Sequence, residues 1–264
     1  MLDILAYPFV QRALVSGVIV GIVCALLGVF VVIRKMSFFG DAISHSAFTG
    51  VALGFLLGIN PSLSALGFAI LVAAGMVYLQ NKGNLSADTT IGIFFSGSAA
   101  LGLLIIALLR GYRTDLFQYL LGDILSISDR DLMISVVMGI VVVGVMSRIM
   151  RPLLQITFNR DMAKVAGVPV ERYEYLLMFL LAATVAVSLK IVGIILVTAL
   201  LIVPAAAAKN ISANFRQMVA WSVIFGVSSS ILGLAASYWL DTSSGPTIVL
   251  TSILIFCITL AARK

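Results

Sequence analysis

Long apolar stretches, separated by short polar or charged segments, dominate the sequence. The stretches without Asp, Glu, Lys or Arg are Ala13–Ile33, Ala42–Asn81, Thr89–Leu109, Leu132–Ser147, Tyr175–Leu189, Ile191–Ala208, Gln217–Leu240 and Thr242–Ala262. A helix needs about 20 mostly apolar residues to cross a bilayer core, and the second stretch is long enough for two spans around the turn sequence Asn60-Pro61. The pattern predicts nine spans, or eight if the stretches on either side of Lys190 are one span and a re-entrant segment.

Composition supports this interpretation and excludes other classes of protein. The chain has 264 residues, of which 61% are hydrophobic and 11% charged, whereas soluble domains are about 45–50% apolar and about 25% charged. An ordinary soluble enzyme, a nucleic-acid-binding protein and a disordered chain are therefore excluded. We expect an all-α, polytopic transmembrane helical bundle that forms a single domain over residues 1–264.

The positions of Lys and Arg predict the orientation, because cytoplasmic loops carry an excess of positive charge. With nine spans and the N-terminus outside, twelve of the 17 Lys and Arg residues lie on the cytoplasmic side. We therefore predict an outer N-terminus and a cytoplasmic C-terminus. The two longest loops are then an outer one over about residues 110–131 and a cytoplasmic one over about residues 148–174, which is a candidate docking surface.

Asp41 and His45 are the most informative polar residues within the apolar region. His45 is the only histidine, and side chains four residues apart share a helix face, so both groups can reach one cation. A carboxylate and an imidazole suit zinc, manganese and ferrous iron alike. Alternatively, Asp41 N-caps a helix that begins after Gly40, and His45 is an interior histidine with satisfied hydrogen bonds.

Other sequence features indicate transport rather than catalysis. H-E-x-x-H, G-x-S-x-G and the P-loop sequence G-x-x-x-x-G-K-[ST] are absent, so ATP binding of the usual kind is not expected in this chain. Pro204 should kink or interrupt its apolar segment, and interrupted helices often line transport pathways. Gly50, Gly54 and Gly58 form a ladder that suits close helix packing, either within one subunit or between two.

Several motifs resemble one family along nearly the whole chain. The specific one is RKMSFFGDAISHSAFTGVALG at Arg34–Gly54, and it is followed in order by ADTTIGIFFSGSAALG, YLLGDIL, VGIILVTALLIVPAAAA and GPTIVL. Together they resemble the zinc/manganese permease family of bacterial ATP-binding-cassette importers.

This resemblance implies a membrane subunit with defined partners. We expect a permease homodimer in the bacterial plasma (inner) membrane, two copies of a cytoplasmic ATPase, and an extracytoplasmic metal-binding protein. The implied fold is similar to that of vitamin B12 permeases. The family's metal-linked aspartate and histidine correspond to Asp41 and His45. The expected cargo is therefore a zinc or manganese ion, with iron as a third candidate. No permanently bound cofactor is expected.

The cytoplasmic loop resembles the family's coupling element at Phe158–Val168, sequence FNRDMAKVAGV. The resemblance assigns contact with the ATPase to Phe158, Asp161, Ala163 and Gly167, with the small residues allowing close seating. The family usually has aspartate where this chain has Asn159. The implied mechanism is alternating access, in which closure of the ATPase dimer moves this element and the spans. Modest metal affinity is expected, because a complete ligand shell would trap the ion.

Three other functions are less consistent with the sequence. A stand-alone secondary cation transporter would need further acids or histidines within the membrane, and the chain has few. A permease of the same fold for a corrinoid or other organic metal chelate would need a wide polar or aromatic pathway. A membrane metalloenzyme lacks the ligands. Zinc, manganese and iron are not distinguished by an Asp and a His.

Overall fold

The computed structural model describes residues 8–83, 85–108 and 127–262, which are helical, with no strand among them. The helices are α1 (Pro8–Ile33), α2 (Phe39–Leu57), α3 (Pro61–Gly83), α4 (Ala87–Leu108), α5 (Asp129–Phe158), α6 (Arg160–Val165), α7 (Val170–Ile211), α8 (Phe215–Leu240) and α9 (Ser244–Ala261). In this part of the chain, seven helices are long and apolar enough to cross a membrane, namely all except α2 and α6. The prediction of an all-helical membrane bundle is confirmed. Most of the outer loop predicted over about 110–131 lies outside the described residues.

Helix α2 is long enough to span but is not among the seven. It has 19 residues, and its first half carries Asp41 and His45 together with hydroxyl side chains. These polar groups lower its mean hydropathy. An acid and a histidine are expensive to place in a bilayer, which makes Asp41 and His45 candidates for function.

The chain divides into two compact units, each assembled from separate segments. Within the described residues, the first unit contains 8–32, 127–139 and 187–262, and the second contains 33–83, 85–108 and 140–186. Helices α5 and α7 each begin in one unit and end in the other. Neither unit is therefore a continuous piece of sequence, and the expectation of one transmembrane domain stays a prediction.

The turn predicted at Asn60-Pro61 separates α2 from α3. Gly58 ends α2 in the left-handed conformation with a φ of 68°, which glycine adopts without strain. The Asn60 side-chain oxygen then accepts hydrogen bonds from the backbone N–H groups of Ser62 and Leu63 at 3.0 and 3.3 Å. Pro61 occupies the first helical position, where its missing N–H has no cost.

Glycines bring the helices of the second unit into close contact. A Cβ atom added at Gly50 would lie 2.7 Å from the Cα of Ala65 in α3, and one added at Gly54 would lie 2.8 Å from the Cα of Pro61. The predicted glycine ladder therefore packs α2 against α3 of the same chain. Small residues have the same effect in the first unit, where Gly21 of α1 and Gly226 of α8 face each other.

Helix α7 contains a break that the sequence pattern placed three residues earlier. Its 42 residues are helical except at Gly193, which has a φ of 79° and a ψ of 168°. The predicted division fell at Lys190. Pro204 is the residue from which an interruption was expected, yet Gly193 is the only residue with non-helical backbone angles within α7. The pieces 170–192 and 194–211 are about 35 and 27 Å long at the rise of an α-helix.

Contacts within the first unit show that the second piece of α7 runs back along α1. Two ion pairs involve the first turn of α5: Arg12–Asp129 at 3.1 Å and Lys190–Asp131 at 2.6 Å. Lys190 is thus near the N-terminal end of α1. Leu201, however, lies against Gly28 near the C-terminal end of α1, where an added Cβ would be 1.9 Å from the Leu201 carbonyl oxygen. The second piece of α7 therefore runs from the N-terminal end of α1 toward its C-terminal end.

Candidate functional site

Asp41 lies in the first turn of α2 rather than at its N-cap. The helix begins at Phe39, and Phe38 occupies the N-cap position without a side-chain cap hydrogen bond. The alternative interpretation of Asp41 as the N-cap is therefore wrong. A carboxylate in the first turn of a helix is stabilised by the N-terminal end of the helix dipole.

Asp41 and His45 lie one turn apart on α2, and both are half-buried. The His45 ring makes an edge contact with Phe95 of α4, with the ring centroids 4.8 Å apart and the planes at 78°. This contact restricts the imidazole. The face of α2 that carries the pair is thus partly open and lies beside α4.

Hydroxyl groups fix α2 on α4 next to this pair. Ser46 Oγ lies 2.8 Å from Ser98 Oγ, and Thr49 Oγ1 donates to the Ser98 carbonyl oxygen at 2.7 Å. Gly102 leaves room for Thr49, because a Cβ there would lie 2.7 Å from Thr49 Oγ1. These buried bonds hold the backbone that carries Asp41 and His45 in a defined position on α4.

The pair offers an incomplete set of metal ligands. In the described ranges, no three His, Cys, Asp or Glu side chains form a group that could hold a metal ion. One carboxylate and one imidazole leave most positions of a tetrahedral or octahedral shell to water, backbone carbonyls or another subunit. Chemically, such a pair suits transient contact with a divalent cation better than permanent binding.

The predicted coupling element forms a short helix with a cap at each end. Asn159 accepts hydrogen bonds through its side-chain oxygen from the backbone N–H groups of Asp161 and Met162, so it is the N-cap of α6. Gly167 has a φ of 78°, and the N–H of Val168 bonds to the carbonyl of Ala163 at 3.0 Å. This is the hydrogen-bond pattern of a Schellman motif, which ends a helix with a left-handed glycine.

Ala163 and Gly167 act within this element rather than on its surface. Ala163 is buried with Ile156 and Val170, and Val168 and Tyr173 pack against them. Gly167 is exposed, and its positive φ explains the glycine. Packing explains the small residue at 163, and backbone conformation explains the glycine at 167. Contact with a partner protein is therefore left to the neighbouring residues.

An apolar stripe on the exposed side of this element was missed by sequence reasoning. Phe158, Met162 and Val165 are 77%, 65% and 85% exposed. Met162 and Val165 lie three residues apart on α6 and so share a helix face, and Phe158 is the last residue of α5. Of these, only Phe158 was singled out from the sequence. The spacing itself was a readable signal, because an apolar i, i+4, i+7 pattern in a polar loop is unusual.

Comparison with known proteins gives matches along almost the entire chain. Residues 6–263 match the model of the ABC 3 transport family. The high-affinity zinc uptake system membrane protein ZnuB of Haemophilus influenzae is 38% identical over 252 residues, which are 96% of this chain and 97% of that protein. The manganese import system permease protein ScaB of Streptococcus gordonii is 39% identical over 96% of this chain and 90% of that protein.

Solved structures agree with these matches. The structure of PsaBC from Streptococcus pneumoniae in complex with Fab superposes with a TM-score of 0.84 at 37% identity, over 98% of this chain and 93% of that one. An inward-facing conformation of a putative metal-chelate type ABC transporter gives a TM-score of 0.76 over 96% of this chain. At 18% identity the second match shows the fold alone.

Proposed function

Because the chain belongs to the ABC 3 transport family, we propose that it is the membrane permease subunit of an ATP-driven importer for divalent transition-metal ions. The observation that carries this proposal is its similarity, over nearly its full length, to permeases named for zinc and manganese uptake. The chain has no P-loop sequence, so a separate ATPase supplies the energy.

Asp41 and His45 are the proposed contacts for the ion along its pathway. They lie one turn apart at the beginning of α2, on a face that is partly open. A carboxylate and an imidazole attract divalent cations, and an incomplete shell lets the ion leave again. Either zinc or manganese fits this pair, and the relatives include permeases named for each.

The apolar stripe Phe158, Met162 and Val165 is the proposed contact with the ATPase, together with the neighbouring acid Asp161. Large apolar side chains that protrude from a capped helix are suited to a groove on a partner protein. The caps at Asn159 and Gly167 keep this helix formed, so that a push on it is transmitted to α5 and α7. Closure of the ATPase would then switch the side from which Asp41 and His45 are accessible.

We propose eight to nine spans, with an outer N-terminus and a cytoplasmic C-terminus in the bacterial inner membrane. The non-helical backbone at Gly193 supports counting the two pieces of α7 separately, which gives nine with α2 included. The 27 Å piece would be the re-entrant segment if the number is eight. The fold is that of the vitamin B12 permease type, with two permease copies, two ATPase copies and an extracytoplasmic metal-binding protein in the assembly.

A stand-alone secondary transporter and a permease for organic metal chelates are the rival functions. The first is disfavoured because coupling to protons or sodium would need more ionisable groups than Asp41 and His45 in the spans. The second would predict transport of a chelate but not of the free ion. One transport experiment distinguishes both rival functions from ATP-driven import of metal ions.

The decisive experiment measures zinc and manganese import into proteoliposomes that contain this chain with its ATPase and binding protein. We expect ATP-dependent import, which Asp41→Asn and His45→Ala reduce by at least about tenfold, as expected when a metal loses a ligand or its support. Asp88→Asn is the matched control, since Asp88 is an exposed acid in the first turn of α4. Import without ATP would support the secondary transporter, and import of chelates alone would support the other rival.

A further inference from the structure

Polar and charged side chains from α3, α6 and α7 meet within the second unit. Arg160, the first residue of α6, donates through Nη2 to Glu174 Oε2 of α7 at 2.9 Å and to Asn81 Oδ1 of α3 at 2.5 Å. The Glu174 side chain is only 15% exposed. The first turn of α6 is therefore attached by polar contacts to two longer helices.

Arg34 brings the α1–α2 connector, residues 34–38, into the same cluster. Its Nε donates to Thr157 Oγ1 at 3.0 Å, and its Nη2 donates to the Leu153 carbonyl oxygen at 3.5 Å. Burial lowers the pKa of the Arg34 guanidinium, while the negative charge of Glu174 raises it and the charge of Arg160 lowers it further. Two guanidinium groups thus depend electrostatically on one carboxylate. Arg34, Asn81, Arg160 and Glu174 are called the coupling cluster below.

The coupling cluster has few alternative hydrogen-bond partners for its buried polar groups. Arg160 Nε and Gln80 Nε2 are buried and have no hydrogen-bond partner in the part of the chain that the structure describes. If the charge of Glu174 were removed, Arg34 would lose the negative charge that offsets its burial, and Arg160, whose side chain is 40% exposed, would lose its ion-pair partner. A half-buried arrangement of this kind is sensitive to small displacements, because unpaired buried charge is costly.

Two routes lead from the coupling cluster to α2. The connector is short and tightly turned: Lys35 has a φ of 55°, and the carbonyl of buried Met36 accepts from the N–H of Phe39 at 3.0 Å. A movement of Arg34 is therefore carried directly into the first turn of α2. The second route runs through Asn81 and α3, which packs against α2 at Gly50 and Gly54.

We propose that the coupling cluster transmits displacement of α6 to α2, with Glu174 as the positioning residue that holds α6 and the connector together. The inference rests on the proposed function, since it names the route by which docking of the ATPase would reach Asp41 and His45. It also assigns a role to Arg34, the first residue of the Arg34–Gly54 motif. Neither residue touches the ion in this scheme.

The test is the number of metal ions imported per ATP hydrolysed by the complete importer in proteoliposomes, with zinc and manganese as probes. Glu174→Gln keeps the shape of the side chain and removes its charge. We expect the ratio to fall by about fivefold or more, a typical size for coupling between sites, while ATP hydrolysis continues. Glu174→Asp keeps the charge and should restore most of the ratio.

Glu171→Gln is the matched control, because Glu171 is an exposed acid one turn before Glu174. Thr157→Val is a second variant that removes an acceptor of Arg34 and leaves the Arg160–Glu174 pair in place. If Glu174→Gln does not assemble, Thr157→Val carries the test, with the same expected fall in the ratio.

The following outcomes contradict the inference or the proposed function, and they can be told apart. The inference is wrong if the assembled variants keep the wild-type ratio, or if import and ATP hydrolysis fall in proportion, since the cluster would then only stabilise the fold. It is also wrong if Glu171→Gln lowers the ratio as much as Glu174→Gln. If wild-type proteoliposomes import neither ion, the proposed function itself fails, and this inference with it.

Discussion

At the scale of single residues, Asn159 shows how geometry explains a departure from the family pattern. The resemblance implies aspartate at this position, and the structure uses the side-chain oxygen of Asn159 to cap α6. Asparagine and aspartate cap helices about equally well. The negative charge is therefore not what α6 requires at this position.

Variants of Asn159 should separate capping from charge. Asn159→Asp keeps the cap, so coupling of ATP hydrolysis to import should be unchanged. Asn159→Ala removes two hydrogen bonds and should destabilise α6 by about 1 kcal/mol. The measurement is amide hydrogen exchange at Asp161 and Met162, which should speed up only in the alanine variant. Faster exchange in both variants would show that the cap is not the reason for a polar residue.

Gly28 is predicted to be intolerant of any side chain. A Cβ there would lie 1.9 Å from the Leu201 carbonyl oxygen, so α1 and α7 would have to separate. We expect Gly28→Ala to lower the melting temperature of the purified permease, with a cost in the range of about 1–3 kcal/mol that overpacking causes.

Gly67→Ala is the control for this substitution. A Cβ at Gly67 meets nothing within 4 Å, and alanine is favoured over glycine in a helix by about 0.5–1 kcal/mol. Its melting temperature should be unchanged or higher. Equal losses in the two variants would indicate that the close approach of α1 and α7 does not limit stability.

At the scale of helices, the break in α7 is the feature with the largest consequence. Gly193 combines a φ of 79° with a ψ of 168°, a region open essentially to glycine alone. Lys190, three residues before the break, is held by Asp131 at 2.6 Å. The Lys190–Asp131 ion pair and the backbone conformation of Gly193 together define where the second piece of α7 begins to run along α1.

Replacing Gly193 should therefore damage assembly. Gly193→Ala forces a Cβ into this backbone conformation at a cost of about 1–3 kcal/mol, and we expect a lower yield of folded permease and a lower melting temperature. Gly144→Ala in α5 is the control, because its Cβ would meet nothing within 4 Å. If both variants fold like the wild type, the turn does not depend on the freedom of glycine at 193.

The apolar stripe Phe158, Met162 and Val165 leads to a separate prediction about binding of the ATPase. Removing the side chains of Phe158 and Val165 together should weaken binding of the ATPase by at least about tenfold, as the loss of a buried apolar anchor does. Retention of the ATPase during purification and its dissociation constant are the measurements. Leu63→Ala removes another side chain that is 68% exposed and should have no effect, whereas an equal effect would indicate general instability.

At the scale of the whole molecule, ion pairs agree with the orientation inferred from charge. In the first unit, Arg12, Asp129, Asp131 and Lys190 pair with one another, and all four are outer residues in the proposed topology. In the second unit, Arg160 pairs with Glu174, and both are cytoplasmic residues there. None of these three ion pairs joins residues from opposite sides of that topology.

Cysteine labelling tests this orientation directly. Cys24 is buried and Cys257 exposed, so Cys257→Ser provides the background. In intact cells without an outer membrane, a membrane-impermeant maleimide should label Asp129→Cys and spare Lys164→Cys until the membrane is opened. The reverse pattern would place the N-terminus in the cytoplasm and contradict the proposed docking of the ATPase at α6.

Much of this protein was determined by its sequence alone, because the responsible physics is local. Apolar runs longer than a bilayer core require helices, whatever else the chain does. The turn at Asn60-Pro61 separates two helices as predicted, because Asn60 caps α3 and Pro61 takes its first position. Asp41 and His45 share a face because four residues make about one turn. These features depend on residues that are neighbours in sequence.

Only the tertiary structure decided which distant residues meet. Arg160 contacts Asn81 and Glu174, and Arg34 contacts Thr157. These residues come from separate segments, and no local sequence pattern predicts that they meet. The inward position of Ala163 follows from packing against Ile156 and Val170, and the close approach of α7 to α1 follows from the meeting of Leu201 with Gly28. Such contacts depend on how whole helices pack, and packing is set by side chains far apart in the chain.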